Sequence, residues 1–172
     1  RTLAEETSPT FIDYAAKTYW HVMEERNEAL WMSERDGWNH LYLLDLENGG
    51  TKRQLTSGNW MVRSVEQVNE AKGVALLKVM GYYPDQDPYH VHFALLDLSG
   101  GELTMLTEGD GTHDLGWSPN AEFYIDRYSR VDLAPVHEMR SSSGELICAL
   151  ERGNMTALLQ AGWRLPERFA CK

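Results

Sequence analysis

The sequence predicts an all-β fold: a partial β-propeller of about three blades, each with four antiparallel strands, and one short helix near the C-terminus. Three observations support this fold class. A pattern of strand and turn residues recurs at spacings of 43 to 52 residues, which is the repeat length typical of propeller blades. Six Trp, eight Tyr and four Phe among 172 residues are many, and aromatic side chains favour pleated surfaces. The residue pattern indicates a single helix, at residues 155–160.

The repeat is clearest in its first two copies. Tyr42-Leu-Leu-Asp-Leu46 is echoed by Ala94-Leu-Leu-Asp-Leu98, 52 residues later, and a Gly pair follows each copy. Gln54-Leu-Thr-Ser-Gly58 then corresponds to Met105-Leu-Thr-Glu-Gly109, 51 residues later. One four-stranded blade cannot bury both of its faces alone, so consecutive copies are expected to pack as neighbouring blades. A β-sandwich built from similar strands is the alternative.

A fainter third copy aligns Gly144-Glu-Leu146 with Gly101-Glu-Leu103. The copies predict one propeller fragment over residues 1–172, divided into blades at 1–58, 59–109 and 110–153 and an exit segment at 154–172. Three blades do not close a ring, so their uncovered faces and edges predict self-association, with a homo-oligomer as one outcome.

Apolar runs bounded by turn residues predict strands in all three copies, at residues 29–33, 40–46, 52–56, 74–80, 89–98 and 122–128. Asp36-Gly37 is typical of a two-residue hairpin turn and lies between the first two of these strands. Asn154 as the N-cap and Gly162 after the last turn predict the short helix. Four Trp rings are expected to fill the gaps between twisted sheets: Trp31, Trp38, Trp60 and Trp117.

Composition excludes several classes of protein. Sixteen basic and 26 acidic residues give a net charge of -10, which argues against a nucleic-acid partner. No apolar run approaches the length of about 18 residues that a membrane-spanning helix needs. Cys148 and Cys171 are too few for a disulfide framework, and both are predicted to be free thiols. Because the chain begins with Arg1 rather than Met, we expect it to be processed or part of a longer protein.

Two motifs, Ser33-Glu-Arg-Asp-Gly-Trp-Asn-His-Leu-Tyr42 and Gln54-Leu-Thr-Ser-Gly-Asn-Trp60, resemble the propeller of the dipeptidyl peptidase IV family, in the prolyl oligopeptidase clan of serine peptidases. The resemblance continues in the same order through four later motifs: Leu106-Thr-Glu-Gly-Asp-Gly-Thr-His113, Trp117-Ser-Pro-Asn120, Tyr128-Ser-Arg-Val-Asp132 and Ala161-Gly-Trp-Arg-Leu-Pro-Glu167. The last of these resembles the stretch where the family's propeller leads into its catalytic domain. Together, the six motifs extend the resemblance over nearly the whole chain.

The resemblance implies an eight-bladed propeller that caps an α/β-hydrolase domain, with this chain as roughly its last three blades. The implied function is that of a serine exopeptidase that releases dipeptides from polypeptide N-termini, in which the propeller gates and orients the substrate. The implied partners are a peptide substrate, the missing blades and the hydrolase domain; no cofactor and no metal are implied. For the parent protein, a periplasmic or extracellular location is favoured over a cytoplasmic one. The alternative function is a non-catalytic propeller that scaffolds protein–protein interactions.

Catalytic residues are not expected in this chain. Gly116-Trp-Ser-Pro-Asn120 begins like the Gly-x-Ser-x-Gly nucleophile elbow of hydrolases but departs from it at Asn120, and Pro119 has no N–H for an oxyanion hole. Ser118 is therefore expected to be a turn residue. Substrate binding is assigned to Phe11 and Tyr14, because in the family the loop entering this part of the propeller lines the cavity near the substrate's amino terminus.

Three other polar groups are interpreted as structural. Glu24-Glu25 resembles the family's Glu pair for the substrate's amino group but lacks the surrounding Asp and Tyr, so an exposed turn is expected. His90 and His92 would share one face of a strand, but no third metal ligand lies nearby in sequence. His113 follows the Gly109-Asp-Gly111 turn, and its ring is expected to anchor that turn by hydrogen bonding.

Overall fold

The computed structural model describes residues 2–13, 18–167, 169 and 171. Within these residues the chain forms twelve β-strands in three four-stranded sheets, a single turn of 3-10 helix at Glu24–Arg26 and one short α-helix. The first sheet contains β1 (Trp20–Met23), β2 (Glu28–Ser33), β3 (His40–Asp45) and β4 (Thr51–Gln54). The second contains β5 (Met61–Asn69), β6 (Val74–Met80), β7 (Val91–Asp97) and β8 (Leu103–Met105). The third contains β9 (Thr112–Trp117), β10 (Phe123–Arg130), β11 (Leu133–Ser141) and β12 (Leu146–Arg152), and α1 (Thr156–Gln160) follows.

Each sheet is an antiparallel meander in which the strands lie side by side in chain order. Trp31 pairs with Tyr42 in the first sheet, and Leu76 pairs with Leu95 in the second. Four-stranded meanders of this kind are the blades of a β-propeller. The predicted fold class, an all-β partial propeller with one short helix, is confirmed.

The chain divides into two compact units, residues 1–105 and residues 106–172. In the first unit the two sheets share one apolar core, and their central strands read as near-continuous apolar runs because both faces are buried. Polar contacts also join the two sheets: the Asn39 side chain donates to the Val62 carbonyl at 2.7 Å, and the Val62 N–H donates to the Asn39 carbonyl at 2.8 Å. The core contains Met23, Leu30, Leu41, Leu43, Leu55, Val62, Leu77, Val79, Leu96 and Leu98.

The second unit is organised around Tyr124 in β10. Its ring is buried and its hydroxyl donates to the Leu106 carbonyl at 2.5 Å; burial raises the pKa of this phenol above its ordinary value. Strand β12 lies at the edge of the sheet and every one of its residues is exposed. Cys148 and Cys171 are both free thiols, as predicted.

The Asp of the repeated Leu-Leu-Asp-Leu segment has the same structural role in both copies. Asp45 accepts hydrogen bonds from the backbone N–H groups of Glu47 and Asn48, at 2.8 and 3.0 Å. Asp97, its counterpart, accepts from the N–H groups of Ser99 and Gly100 at 3.0 and 2.8 Å. The side chain thus holds the turn that begins the last strand of each blade.

These hydrogen bonds also change the titration of the two carboxyl groups. The pKa of Asp45 is lowered chiefly by the side-chain hydrogen bond from Asn48, and the pKa of Asp97 chiefly by the backbone hydrogen bond from Ser99. Both groups favour the ionised form because that form accepts more hydrogen bonds.

Three local predictions were wrong. The connection between β2 and β3 is a six-residue loop, residues 34–39, in which the N–H of Gly37 donates to the Glu34 carbonyl and Gly37 has φ +97°. The Asp36 carboxylate accepts from the N–H of Trp38, which stabilises this wider turn rather than a two-residue hairpin. Trp38 is therefore 42% exposed and does not fill a gap between sheets.

Helix α1 starts one residue later than predicted, although Asn154 still accepts from the N–H of Thr156 at 2.8 Å.

No helix in the described part of the chain is both long and apolar enough to cross a membrane.

Candidate functional site

A cavity of about 420 Å³ lies beside β2 in the first unit. It is lined by the segment of residues 6–13 and by the end of β2 together with the loop that follows it. Apolar, polar and charged side chains line this space, among them Phe11, Ile12, Glu6, Arg35, Trp31 and Asn39. A cavity of this size is within the range of small-molecule and peptide side-chain sites.

Phe11, one of the two residues assigned to substrate binding, lies in this cavity wall. The residue is 70% exposed, so much of its surface is accessible to a ligand. Tyr14, the other assigned residue, falls outside the described residues. Phe11 therefore lines a cavity, and its assignment to substrate binding stays a prediction.

Glu6 joins the segment of residues 6–13 to the β2 part of the cavity lining, and it was not identified from the sequence. Its Oε1 atom accepts hydrogen bonds from the Trp31 indole at 2.7 Å and from the Arg35 guanidinium at 2.5 Å. Partial burial alone would raise the pKa of Glu6, but the hydrogen bonds from Trp31 and Arg35 outweigh burial, and the pKa is lowered. The carboxylate is therefore ionised at neutral pH and forms a charge-assisted contact.

Arg35 is held in place by several neighbours besides Glu6. Its Nε atom donates to the Ser33 hydroxyl at 2.9 Å, and Nη1 donates to the Thr51 hydroxyl at 2.8 Å. The guanidinium also lies over the Tyr42 ring, 4.6 Å from its centre, an arrangement that favours a cation. Burial, with a smaller effect of the Asp36 charge, raises the pKa of Tyr42 to about 12, so this ring stays neutral.

His113 and Asp126 form a fully buried pair that resembles two members of a catalytic triad. The Nδ1 atom of His113 lies 2.8 Å from the Asp126 carboxylate. The other ring nitrogen, which a triad uses as the general base, instead donates to the Gly109 carbonyl at 2.7 Å. The pair therefore stabilises the turn at Gly109, as predicted for His113.

The other polar groups singled out in the sequence have structural positions. Ser118 exchanges hydrogen bonds with the backbone of Phe123, which fits a turn residue. Glu24 and Glu25 are exposed in the 3-10 turn. His90 lies just before β7, whereas His92 is within that strand and contacts the Gln86 side chain at 2.9 Å. Among the described residues no three His, Cys, Asp or Glu side chains are grouped as metal ligands.

Comparison with known proteins agrees with this architecture. A crystal structure of dipeptidyl peptidase 4 from Porphyromonas gingivalis matches 78% of the chain at 30% sequence identity with a TM-score of 0.56. A structure of a putative dipeptidyl aminopeptidase IV from Bacteroides ovatus has the same fold over 73% of the chain, at 22% identity and a TM-score of 0.54. The chain covers only 18% and 20% of those two proteins.

The family model described as "Dipeptidyl peptidase IV (DPP IV) N-terminal region" matches residues 1–135. This match includes the cavity, Phe11 and Glu6, together with all of the first two sheets. The chain therefore belongs to the family of the dipeptidyl peptidase IV N-terminal region.

Proposed function

We propose that this chain is the propeller part of a serine exopeptidase that releases dipeptides from polypeptide N-termini. In this proposal the propeller gates access to the active site and orients the substrate, while the nucleophile and its partners belong to an α/β-hydrolase domain outside these 172 residues. The observation that carries the proposal is the family match over residues 1–135, supported by 30% identity to the P. gingivalis dipeptidyl peptidase 4.

The contacts of the described residues are compatible with a propeller that binds substrate and a separate domain that carries out the reaction. His113 has both ring nitrogens engaged by Asp126 and Gly109, so it is not available as a general base. Ser118 is committed to its turn by hydrogen bonds with Phe123. In the proposal, catalysis comes from residues elsewhere in the parent protein. The sequence that follows this chain in the parent is expected to contain Gly-x-Ser-x-Gly, then Asp, then His; further blades without that motif would contradict the proposal.

Phe11 is the residue of the described part that we propose to contact substrate. An exposed aromatic ring in the wall of a cavity of about 420 Å³ offers an apolar face to a peptide side chain or to its backbone. Tyr14 is proposed for the same role from its position in the same segment of the sequence. The cavity also contains charged groups, Glu6 and Arg35, but these are already paired with each other.

Phe11→Ala in the complete parent protein tests this assignment. We expect KM for a dipeptidyl nitroanilide to rise about tenfold with little change in kcat, because the ring contributes to binding and does not act on the reacting bond. Tyr14→Ala should act in the same direction. The matched control is Tyr89→Ala, since Tyr89 is 80% exposed and is not a cavity-lining residue. Equal kinetics for the Phe11 and Tyr89 variants would contradict the role of Phe11.

A further inference from the structure

Among the contacts between the segment that carries Phe11 and the first sheet is one carboxylate with two strong donors. Glu6 accepts from Trp31, whose indole belongs to β2, and from Arg35, in the loop after β2. Both bonds go to the same oxygen, Oε1, and the Glu6 side chain is only 18% exposed. Hydrogen bonds to an ionised acceptor in such a partly buried place are roughly twice as strong as neutral ones.

The two donors are themselves fixed by the sheet, so they form a preorganised receptor for the carboxylate. Arg35 is anchored to Ser33 and to Thr51, which belong to two different strands. The Trp31 ring packs edge-on against the Trp20 ring, with 5.6 Å between ring centres. Because both donors have partners within the sheet, the bond with Glu6 is expected to fix the segment rather than the sheet.

The position of Glu6 in the chain connects this contact to the cavity. Glu6 and Phe11 are five residues apart in the segment that lines the cavity, and Arg35 and Trp31 line the same cavity. Five residues can span at most about 17 Å, so an anchor at Glu6 limits where the Phe11 ring can go. Releasing this anchor would leave the Phe11 segment with fewer contacts to the sheet and a larger set of positions.

We propose that Glu6 is a positioning residue, which fastens the segment of residues 6–13 to Trp31 and Arg35 and so holds Phe11 at the substrate cavity. This inference rests on the proposed function, because it assumes that Phe11 contacts substrate. It adds a residue to the site that has no contact with the reacting bond. The role belongs to the carboxylate: an amide at this position cannot form the ion pair with Arg35.

The test compares Glu6→Gln with Glu5→Gln in the complete parent protein. Glu5 is the adjacent residue and is exposed, so its variant makes the same change of charge without removing the contact to Trp31 and Arg35. We expect Glu6→Gln to raise KM for a dipeptidyl nitroanilide about fivefold while kcat stays near the wild-type value. Glu5→Gln should leave both constants unchanged. A fall in kcat at constant KM for Glu6→Gln would contradict a role in holding Phe11.

A double variant shows whether Glu6 acts through Arg35. If it does, Glu6→Gln combined with Arg35→Gln should raise KM no more than the larger of the two single changes. Fully additive effects would overturn this connection, because they would mean that the two side chains act independently.

Amide hydrogen exchange separates this inference from the proposed function. Exchange of the peptide that covers residues 2–13 should become faster in Glu6→Gln and remain unchanged in Glu5→Gln, whether or not the parent protein releases dipeptides. Unchanged exchange in Glu6→Gln would overturn the anchor. Faster exchange with an unaltered KM would overturn its role in positioning Phe11. A wild-type parent without dipeptide release would disprove the proposed function, and the exchange result would still decide the anchor.

Discussion

His40 and His113 make the same contact at one ring nitrogen. The Nε2 atom of His40 lies 3.1 Å from the Gly58 carbonyl, and that of His113 lies 2.7 Å from the Gly109 carbonyl. Because a carbonyl only accepts, each Nε2 atom carries a proton. Gly58 and Gly109 end corresponding copies of the repeat, so each of these two repeat turns is tied down by a buried histidine.

The partners of the second ring nitrogen differ in charge. The Nδ1 atom of His40 faces the Thr56 hydroxyl at 3.0 Å, and a hydroxyl can donate to a neutral imidazole. The Nδ1 atom of His113 faces the Asp126 carboxylate, which requires a proton shared between the two side chains. The His113–Asp126 contact is therefore a buried charge-assisted hydrogen bond, with Arg140 also near the carboxylate at 3.8 Å.

Asp126→Asn is expected to lower the free energy of unfolding of this chain by about 3 kcal/mol, because it removes the buried carboxylate that His113 and Arg140 face. The control is Asp114→Asn: Asp114 is 65% exposed and its ion pair with Arg127 lies at the surface. That change should cost less than about 1 kcal/mol. Urea denaturation of both variants gives the comparison, and equal losses of stability would disprove a special role for the buried pair.

At the scale of strands, Gly111 and Gly116 show how close packing between strands restricts sequence. A Cβ atom on Gly111 would lie 2.8 Å from the carbonyl oxygen of Ser129 in β10, whereas a Cβ on Gly116 would have no atom within 4 Å. Ser129 belongs to the strand that pairs with β9, so the backbone at Gly111 approaches its neighbour too closely for a side chain.

Gly111→Ala should therefore destabilise the chain by about 1–3 kcal/mol, because the strand backbone has to move. Gly116→Ala, with the same change of side chain, should be neutral or stabilise by about 0.5–1 kcal/mol through the lower entropy of the unfolded chain. Thermal unfolding followed by circular dichroism distinguishes the two. A loss of stability that is as large for Gly116→Ala as for Gly111→Ala would contradict this explanation.

The strands differ in how well the sequence predicts them. Residues 74–80 were predicted as a strand and form β6 over the same residues, because a continuous apolar run bounded by Gly73 and Gly81 has one obvious interpretation. Strand β11 was not among the predicted strands. It contains Pro135, and proline is disfavoured within strands because it has no N–H to donate to a neighbouring strand. The loop at Asp36-Gly37 was misjudged because the hydrogen bond from Trp38 to Asp36 favours a wider turn.

The candidate site is harder to predict from the sequence than the fold. Phe11 was assigned by its place in a family-like segment, and the structure finds it exposed in a cavity wall. Glu6 has no local signal, since its partners Trp31 and Arg35 lie 25 and 29 residues further along the chain. Contacts of this kind depend on how an extended segment folds back over a sheet.

At the scale of the whole molecule, β12 and the helix after it expose a set of large apolar side chains. Leu146, Ile147, Leu150, Leu158 and Leu159 are each between 44% and 49% exposed. An apolar edge strand with unpaired backbone groups favours association with another chain. We therefore expect the isolated 172-residue chain to self-associate.

Light scattering over a range of concentrations measures this association. Ile147→Lys together with Leu150→Lys should shift the chain towards a monomer, because charge on an edge strand opposes pairing. Thr104→Lys, at the exposed residue of the edge strand β8, adds charge without removing an apolar side chain and should have a smaller effect. A wild-type chain that stays monomeric at high concentration would contradict the expectation.

The chain matches 18% of the P. gingivalis dipeptidyl peptidase 4, and our account places the chemistry in the remainder of the parent protein. The most direct test is the release of nitroaniline from a dipeptidyl nitroanilide, measured in parallel on the complete parent protein and on the 172-residue chain. We predict turnover by the parent and none by the chain alone. Turnover by the isolated chain, or none by the parent, would contradict the account.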